Sequence, residues 1–156
     1  MYNGGDYFGS LSLFEKGLKE QKDAAITARS AFWKAESEYN LENFKEALLS
    51  YKQFLDLNKA NETVEFKNIN YNIAYTNFKL KDYDSAGDYF QKHIESNKTD
   101  KFRLNDSYLR LADCRFVTTK YQVALDAYNK VIESKSVDAD YAYFQKALCY
   151  LSLIHI

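Results

Sequence analysis

Residues 43–57 read NFKEALLSYKQFLDL, and this stretch decides the fold of the chain. An aromatic residue, Ala47 and a second aromatic residue stand at i, i+3 and i+7, which places them on one face of an α-helix. The same order recurs in DYDSAGDYFQKHIES (82–96) and in KYQVALDAYNKVIES (120–134). One chain therefore encodes the same helix three times, and the repetition predicts a repeat architecture.

A fixed period links each of these helices to a second helix that precedes it. The small residues of the quoted pattern follow one another at intervals of 37, 39 and 38 residues; they are Ser10, Ala47, Ala86 and Ala124. Twelve residues before each alanine stands another alanine, and one more follows the last of these after 35 residues; this series is Ala35, Ala74, Ala112 and Ala147. Each unit is therefore a helix–turn–helix. Because one such pair cannot cover its own apolar face, the units must stack.

The composition also favours a chain that is mostly helix. Its 156 residues include no proline and only five glycines, so short polar turns are expected between long helices. Asn43 with Glu46, and Asp82 with Ser85, resemble N-cap arrangements. The apolar runs are too short for a transmembrane helix, so no membrane insertion is expected. A net charge of −1 gives no general attraction for nucleic acid or anionic lipid.

These patterns resemble the tetratricopeptide repeat. In that family the first helix carries a small residue near its middle and the second carries aromatic, alanine and aromatic, as LKDYDSAGDYFQK (80–92) does here. The resemblance implies an all-α fold, a right-handed α-solenoid of stacked antiparallel helix hairpins. The family's proline after the second helix is missing and the spacing is longer than usual. Such units, together with YKQFLDL (51–57), are similar to those of bacterial envelope proteins related to outer-membrane-assembly lipoproteins.

The resemblance covers nearly the whole chain and makes it a single array, 1–156. The predicted segments are the second helix of a partial repeat at 1–20, repeats at 22–59, 62–98 and 101–136, and the first helix of a partial repeat at 138–156. Natural arrays usually finish with a polar capping helix, whereas the last helix here ends in LSLIHI (151–156). We therefore expect a fragment of a longer array, whose exposed ends would allow a homo-oligomer.

Histidine and cysteine give little basis for catalysis or metal binding. His93 and His155 are the only histidines, and neither belongs to a cluster with metal-ligand spacing. Cys114 and Cys149 occupy equivalent positions on successive first helices, so we expect them about 8–10 Å apart. That separation exceeds the roughly 7 Å limit for a disulfide. We predict structural thiols, no cofactor and no enzymatic activity.

In the resembled family the first helix of each repeat lines a concave groove. Counting from each central alanine gives these groove candidates: Arg29, Phe32, Glu36, Tyr39, Asn68, Tyr71, Tyr75, Phe78, Lys79, Asp106, Leu109, Asp113, Phe116, Tyr141 and Phe144. Two interpretations of the aromatic members stay open. Either they pack between neighbouring first helices, or they form a floor for a partner, since tyrosine joins a large apolar area to a polar tip.

The resulting functional prediction is a protein-interaction scaffold, whose partner is another protein that presents a peptide segment or a helix to the groove. The alternative is a carbohydrate-binding or small-ligand-binding component of a bacterial envelope system. A third class, RNA binding by aromatic stacking, is disfavoured because no basic stripe accompanies the rings. The envelope-type resemblance favours a periplasmic or outer-membrane-associated location over a cytoplasmic one.

Overall fold

The computed structural model describes residues 6–20 and 23–154, which form α-helices joined by turns, with no strand among them. The helices are α1 (Tyr7–Glu20), α2 (Ala24–Asn40), α3 (Phe44–Asp56), α4 (Ile69–Lys79), α5 (Tyr83–Ser96), α6 (Lys101–Val117), α7 (Tyr121–Glu133) and α8 (Ala139–Ile154). Short 3-10 helices at Ala60–Glu62 and Val64–Asn68 lie between α3 and α4. The predicted all-α repeat fold is confirmed. His155 and the parts of the predicted segments at 1–5, 22 and 155–156 lie outside the described residues.

The helices pack in chain order within two compact units, of which the first ends at Leu80 and the second begins at Lys81. In the first unit α2 packs against α1 and α3, and α4 packs against α3. In the second unit α6 packs against α5 and α7, and α8 packs against α7. Packing between sequence neighbours is what stacked hairpins require, because each helix pair covers its apolar face with the next element.

Alanines at the centre of each hairpin let its helices approach closely. Ala35 of α2 and Ala47 of α3 are completely buried, as are Ala112 of α6 and Ala124 of α7. Large side chains fill the space around them; those that are fully buried include Tyr51, Phe54, Phe90, Tyr128 and Val131. Since the core is filled to this degree, a leucine at one of the alanines would overpack it at a cost of about 1–3 kcal/mol.

Left-handed residues close the turns inside the hairpins. Glu42 after α2 and Thr119 after α6 have φ of 62° and 60°. In both turns this residue's amide donates to the carbonyl three residues back, and the next amide donates to the carbonyl five residues back, the bond pair of a Schellman motif. The predicted N-cap at Asp82 forms, because its side chain accepts from the Ser85 amide at 3.1 Å. The N-cap predicted from the side chain of Asn43 is wrong, since that side chain makes no capping bond.

In the second unit a buried arginine occupies the space beside a glycine of α5, where other repeats have a leucine. Arg115 on α6 is buried, and its Nη2 donates to Asp88 Oδ1 on α5 at 2.5 Å, while Nη1 lies 3.8 Å from Asp84 Oδ1. A Cβ atom on Gly87 would stand 2.9 Å from Arg115 Cζ. The glycine therefore makes room for the guanidinium. The equivalent residues of the other second helices are Leu11, Leu48 and Leu125.

Helix α8 buries a narrow face and exposes the rest. Ala142 and Cys149, seven residues apart and so on one face, are completely buried. Ala147, the last member of the first-helix alanine series, is exposed because it lies on another face. The exposed large side chains of α8 are Tyr141, Tyr143, Phe144, Tyr150, Leu151, Leu153 and Ile154. Among the described residues, no helix has both the length and the apolar character needed to cross a bilayer.

Candidate partner-binding site

Glu36 lies where α2, α3 and α4 meet. It follows the central alanine of α2 by one residue. The Tyr51 hydroxyl from α3 and the Asn72 side-chain amide from α4 both donate to Glu36 Oε1. Hydrogen bonds to a carboxylate are stronger than those between neutral groups, so one oxygen atom joins α3 and α4 to α2 and fixes the position of the carboxylate.

A partly open cavity of about 270 Å³ lies beside this carboxylate. It is called the Glu36 cavity below, and its lining residues are Glu36, Tyr39, Tyr51, Tyr71, Asn72 and Tyr75. All of these except Tyr51 and Asn72 belong to the predicted groove set. They come from α2 and α4, so counting along each first helix selected residues that the fold brings together.

Ring contacts hold the tyrosine wall of the Glu36 cavity. Tyr71 and Tyr75 are four residues apart on α4, and their rings meet edge to face with centroids 4.9 Å apart. The ring of Tyr39 packs edge to face on Phe44 at the start of α3, at 5.3 Å. Such contacts add to the stabilisation from burial alone. Since Tyr39, Tyr71 and Tyr75 are only half-buried, they support the helices and still present ring surface to the cavity.

Burial is also the main influence on the phenol groups. It raises the pKa of Tyr39, and the negative charge of Glu36 is the second cause. The same causes, together with the hydrogen bond to Glu36, raise the pKa of Tyr51. Both phenols therefore keep their protons at neutral pH and act as hydrogen-bond donors.

Asp113 is the counterpart of Glu36 in the second unit, because it also follows a central alanine by one residue. Its Oδ1 accepts from the hydroxyls of Tyr128 at 2.8 Å and Tyr141 at 3.1 Å. Its Oδ2 accepts from Arg110 Nη1 at 3.1 Å. Burial raises the pKa of Asp113, although the bonds from these partners oppose the rise. In the second unit, therefore, the carboxylate binds a cation of its own helix, Arg110, as well as the tyrosine hydroxyls.

A larger cavity of about 900 Å³ lies where the start of α6, the end of α7 and the loop before α8 meet. Asp106, a predicted groove residue, contributes to its lining and lies 3.6 Å from Arg110 Nε. Phe102 and Val137 also line it, and they are 81% and 98% exposed. This cavity therefore combines exposed apolar side chains with charged ones. No pattern in the sequence predicts this cavity, because the loop at 134–138 has no helical periodicity.

Several predicted groove residues line neither cavity. Arg29 Nε donates to Glu65 Oε1 at 3.0 Å, and the same oxygen accepts from Trp33 Nε1 at 3.2 Å. Arg29 is therefore held by the 3-10 helix that follows α3. Among the described residues of this set, Asn68, Phe78 and Phe116 are half-buried, whereas Lys79, Tyr141 and Phe144 are exposed.

Phe32 and Leu109 are corrections to the predicted groove set. Phe32 is 6% exposed and packs edge to face on Tyr51 at 5.9 Å and Phe54 at 5.5 Å. Leu109 is 4% exposed. Both residues stand three positions before the central alanine of their helix, as the half-buried Tyr71 also does, so the packing around each side chain and not its position alone decides its burial. They belong to the core.

Tyr51 and Asn72 are the residues of the Glu36 cavity that the sequence analysis missed. Asn72 carries no signal of its own in the sequence. Tyr51 does carry one, because each complete repeat with an acid after its first alanine has tyrosine at this core position. The repeat without such an acid has Phe90 there. The hydroxyl and the acid therefore occur together along the chain.

Both cysteines and His93 are buried. Burial raises the pKa of Cys114 to about 12 and also raises the pKa of Cys149, and both thiols are free. His93 is buried, and its Nδ1 is hydrogen-bonded to Ser107 Oγ at 2.8 Å. Within the described part of the chain no group of three or more His, Cys, Asp and Glu is placed to hold a metal ion. These thiols are poor nucleophiles and contribute to packing.

Comparison with protein families identifies the class of repeat. Residues 68–100 and residues 106–134 each match a family described as the tetratricopeptide repeat. Each of these two segments is therefore similar to a single tetratricopeptide repeat. No curated protein sequence matches the chain.

Solved structures with the same fold include the crystal structure of MamA protein. It has a TM-score of 0.73 and 21% identity, over 95% of this chain and 74% of that one. A second crystal structure of MamA has a TM-score of 0.71 and 21% identity, over 96% of this chain and 84% of that one. At this identity the similarity concerns the fold.

Proposed function

We propose that the chain is a non-enzymatic protein-interaction scaffold that binds a peptide segment or a helix of another protein through its first-helix surface. The observation that carries this proposal is the convergence of Glu36, Tyr39, Tyr71 and Tyr75 on one partly open cavity. Tyrosines are common anchors at protein interfaces because each combines a large apolar ring with a polar tip. The tetratricopeptide matches support the same class of function.

The groups in the Glu36 cavity suit a side chain better than a whole small molecule. Pockets that bury drug-sized ligands usually measure about 300–1,000 Å³, and this cavity, at about 270 Å³, lies just below that range. It is also partly open, so a bound group can remain attached to a longer chain that runs over the surface. Both properties favour one anchoring side chain of a partner protein.

The second candidate function is binding of a carbohydrate or another small ligand as part of a bacterial envelope system. The tyrosine rings of the Glu36 cavity favour it, because ring faces stack on sugars. This reading keeps the predicted periplasmic or outer-membrane-associated location. It requires binding of a free sugar without any attached peptide, and that requirement separates it from the scaffold.

Self-association through the array ends stays a prediction. The exposed large side chains of α8 favour it, because contiguous apolar surface is a common feature of interaction sites. Light scattering after size-exclusion chromatography over a range of concentrations measures the oligomeric state. A monomer at every concentration would argue against the homo-oligomer.

The scaffold proposal is tested by selecting peptides that bind the intact chain from a random library. We expect Tyr71→Ala with Tyr75→Ala to weaken binding of the selected peptides about tenfold or more, as loss of interface anchors does. Gln53→Ala, an exposed change on α3, is the matched control and keeps full affinity. Circular dichroism establishes that each variant is folded. Equal affinity of the folded double variant, or binding of sugars with no peptide binding, would refute the scaffold.

A further inference from the structure

The larger cavity of the second unit occupies a corner of the hairpin that the first unit fills with its own chain. This cavity of about 900 Å³ lies where the start of α6, the end of α7 and the loop before α8 meet. We propose that it binds a short segment of a partner protein in which an acidic residue stands next to an aromatic one. The inference goes beyond the proposed function, because it assigns a second binding site that is formed by other residues than the Glu36 cavity.

The two corners correspond because the helices around them share one register. The central alanines of α2 and α6 are 77 residues apart (35 to 112), and so are those of α3 and α7 (47 to 124). The same interval makes Val137 the equivalent of Ala60. The connections then differ in length, since the one after α3 runs from 57 to 68 and the one after α7 runs from 134 to 138. The first unit therefore has a segment at this corner that the second unit lacks.

In the first unit the longer connection lies against both helices of the hairpin. Ala60 is 2% exposed. Glu65 Oε1 accepts from Arg29 Nε on α2 at 3.0 Å. The ring of Phe66 packs on that of Phe54 on α3, with centroids 6.3 Å apart. An acid and the aromatic residue after it thus attach this segment, the acid to a cation of the first helix and the ring to the second helix.

In the second unit the shorter connection leaves apolar side chains open to solvent around the cavity. Val137 is 98% exposed, and Phe102 in the first turn of α6 is 81% exposed. Leu104 and Tyr108 extend this apolar lining, and both are only half-buried. Apolar side chains gathered around a cavity of this size are typical of a binding site. An aromatic side chain of a partner would bury them, as burial of apolar area favours.

The charges around the cavity favour an acidic partner segment. Each acid of the lining is bound by a side chain of the same unit: Glu133 by Lys130 at 2.9 Å, Asp106 by Arg110 at 3.6 Å and Asp138 by Asn105 at 3.4 Å. Lys101, the first residue of α6, differs from these, because no carboxylate of residues 6–20 and 23–154 pairs with its ammonium group. An acid of the partner would therefore meet a cation here, as Glu65 meets Arg29 in the first unit.

The first experiment adds the filling segment of the first unit to the intact chain as a separate peptide. The probe is acetylated and amidated KANETVEFKN, the sequence of residues 59–68. NMR of ¹³C-labelled valine and leucine methyl groups follows its binding. We expect shifts of the Val137 and Leu104 signals, and about tenfold weaker binding when alanine replaces the phenylalanine of the peptide, because the ring is the anchor. Unchanged Val137 and Leu104 signals at about 5 mM peptide would overturn the inference.

Two exposed residues of the cavity test its contacts one at a time. Val137→Ser removes apolar area and should weaken binding of the probe about threefold. Lys101→Gln removes the cation and should also weaken it about threefold, the scale of an exposed ion pair. Lys81→Gln is the control with full affinity, because it removes an exposed lysine of the same unit outside the cavity lining. Full affinity of both cavity variants would overturn the inference.

A peptide with glutamine in place of its second glutamate tests whether that acid meets Lys101. It should bind the unmodified chain about threefold more weakly than the probe does. On the Lys101→Gln chain the two peptides should bind equally, since each change removes the same ion pair. Losses that simply add would mean that the two groups do not meet, and would overturn the assignment of the acidic residue.

Further outcomes separate this inference from the proposed function and from another occupant. The folded variant with Tyr71→Ala and Tyr75→Ala should bind the probe with full affinity, because both changes lie in the first unit. Loss of the probe there would overturn the inference, as would Val137 shifts that grow with protein concentration alone and so identify a second copy of the chain as the occupant. If the probe binds as expected while the tyrosine changes affect no selected peptide, the proposed function fails and this second site stands.

Discussion

Glu36 in the first unit and Asp113 in the second stand at the same repeat position and differ in their surroundings. Both accept from a tyrosine on the second helix of their own hairpin. Asp113 is also bound by Arg110 of its own helix, whereas Glu36 lies in a cavity lined by tyrosines. Asp113 is thus held by a cation of its own helix, and Glu36 lies beside a partly open cavity. Under the proposed scaffold function, the same repeated contact contributes to recognition in the first unit and to stability in the second.

The largest expected difference concerns removal of each acid. We expect Asp113→Ala to lower the free energy of unfolding of the second unit by about 2–3 kcal/mol, because it removes the acceptor of two tyrosine hydroxyls and of one charged hydrogen bond from Arg110. Glu36→Ala should cost the first unit about 1–2 kcal/mol, since the Tyr51 hydroxyl and the Asn72 side-chain amide, both neutral, lose their acceptor there. Urea denaturation measures both, with fluorescence of Trp33 reporting on the first unit and circular dichroism on the whole chain. A larger loss for Glu36→Ala would reverse the assignment of roles.

The tyrosine hydroxyls should behave alike in the two units. Tyr51→Phe and Tyr128→Phe each remove one donor from a buried ring without changing its packing, so each should cost about 1 kcal/mol. Phe90 at the same position of the middle repeat indicates that the apolar ring fits. The same denaturation measurements apply. A neutral effect at one position only would mean that the two contacts are not equivalent.

Mild acid should weaken the second unit before the first. Burial lowers the pKa of His93 below 6.5, so the native state binds its proton less readily than the unfolded state does. Stability is therefore constant above about pH 6.5 and falls as the pH drops below it, by at most about 1.4 kcal/mol per pH unit. Phe54 occupies the equivalent position in the first unit, where no such loss is expected from this site.

The control for this pH effect is His93→Phe combined with Ser107→Ala, which removes the buried imidazole and its hydrogen-bond partner together. Unfolding measured between pH 7 and pH 5 should lose its dependence on pH in the double variant. If the unmodified chain and the double variant show the same decline, another group is responsible.

The smallest expected effect compares the equivalent turns. Thr119 and Glu42 both have left-handed backbones. The strain is greater for a β-branched residue, so Thr119→Gly should stabilise the second unit by about 0.5–1 kcal/mol. Glu42→Gly should gain less in the first unit. Thermal unfolding followed by circular dichroism measures both changes, and a Thr119→Gly chain that melts at a lower temperature would contradict this account.

The sequence predicts those parts of the molecule that depend on helical period. The spacing of small residues indicates the hairpins, and position relative to the central alanine brings Glu36 and Tyr75 to one surface. The same counting wrongly predicts Phe32 as a groove residue. Its aromatic ring packs into the core instead, because space is available there. Contacts between helices, such as that of Asn72 with Glu36, depend on how one hairpin lies on the next, which period alone does not specify.

The larger cavity shows a second limit of this kind. Phe102 and Val137 lie near helix ends and in a loop, where backbone direction changes from residue to residue. A pattern that repeats every few residues carries no information about such a place. Only the folded chain brings these side chains together.

The glycine on α5 has a consequence for engineering by consensus. The sister repeats have leucine where Gly87 stands, so an averaged sequence would install leucine there and would also gain helix propensity. The guanidinium of Arg115 already fills that volume. The two positions are therefore a compensating pair that has to be exchanged together, and design rules drawn from one repeat do not transfer to its neighbour unless both are changed.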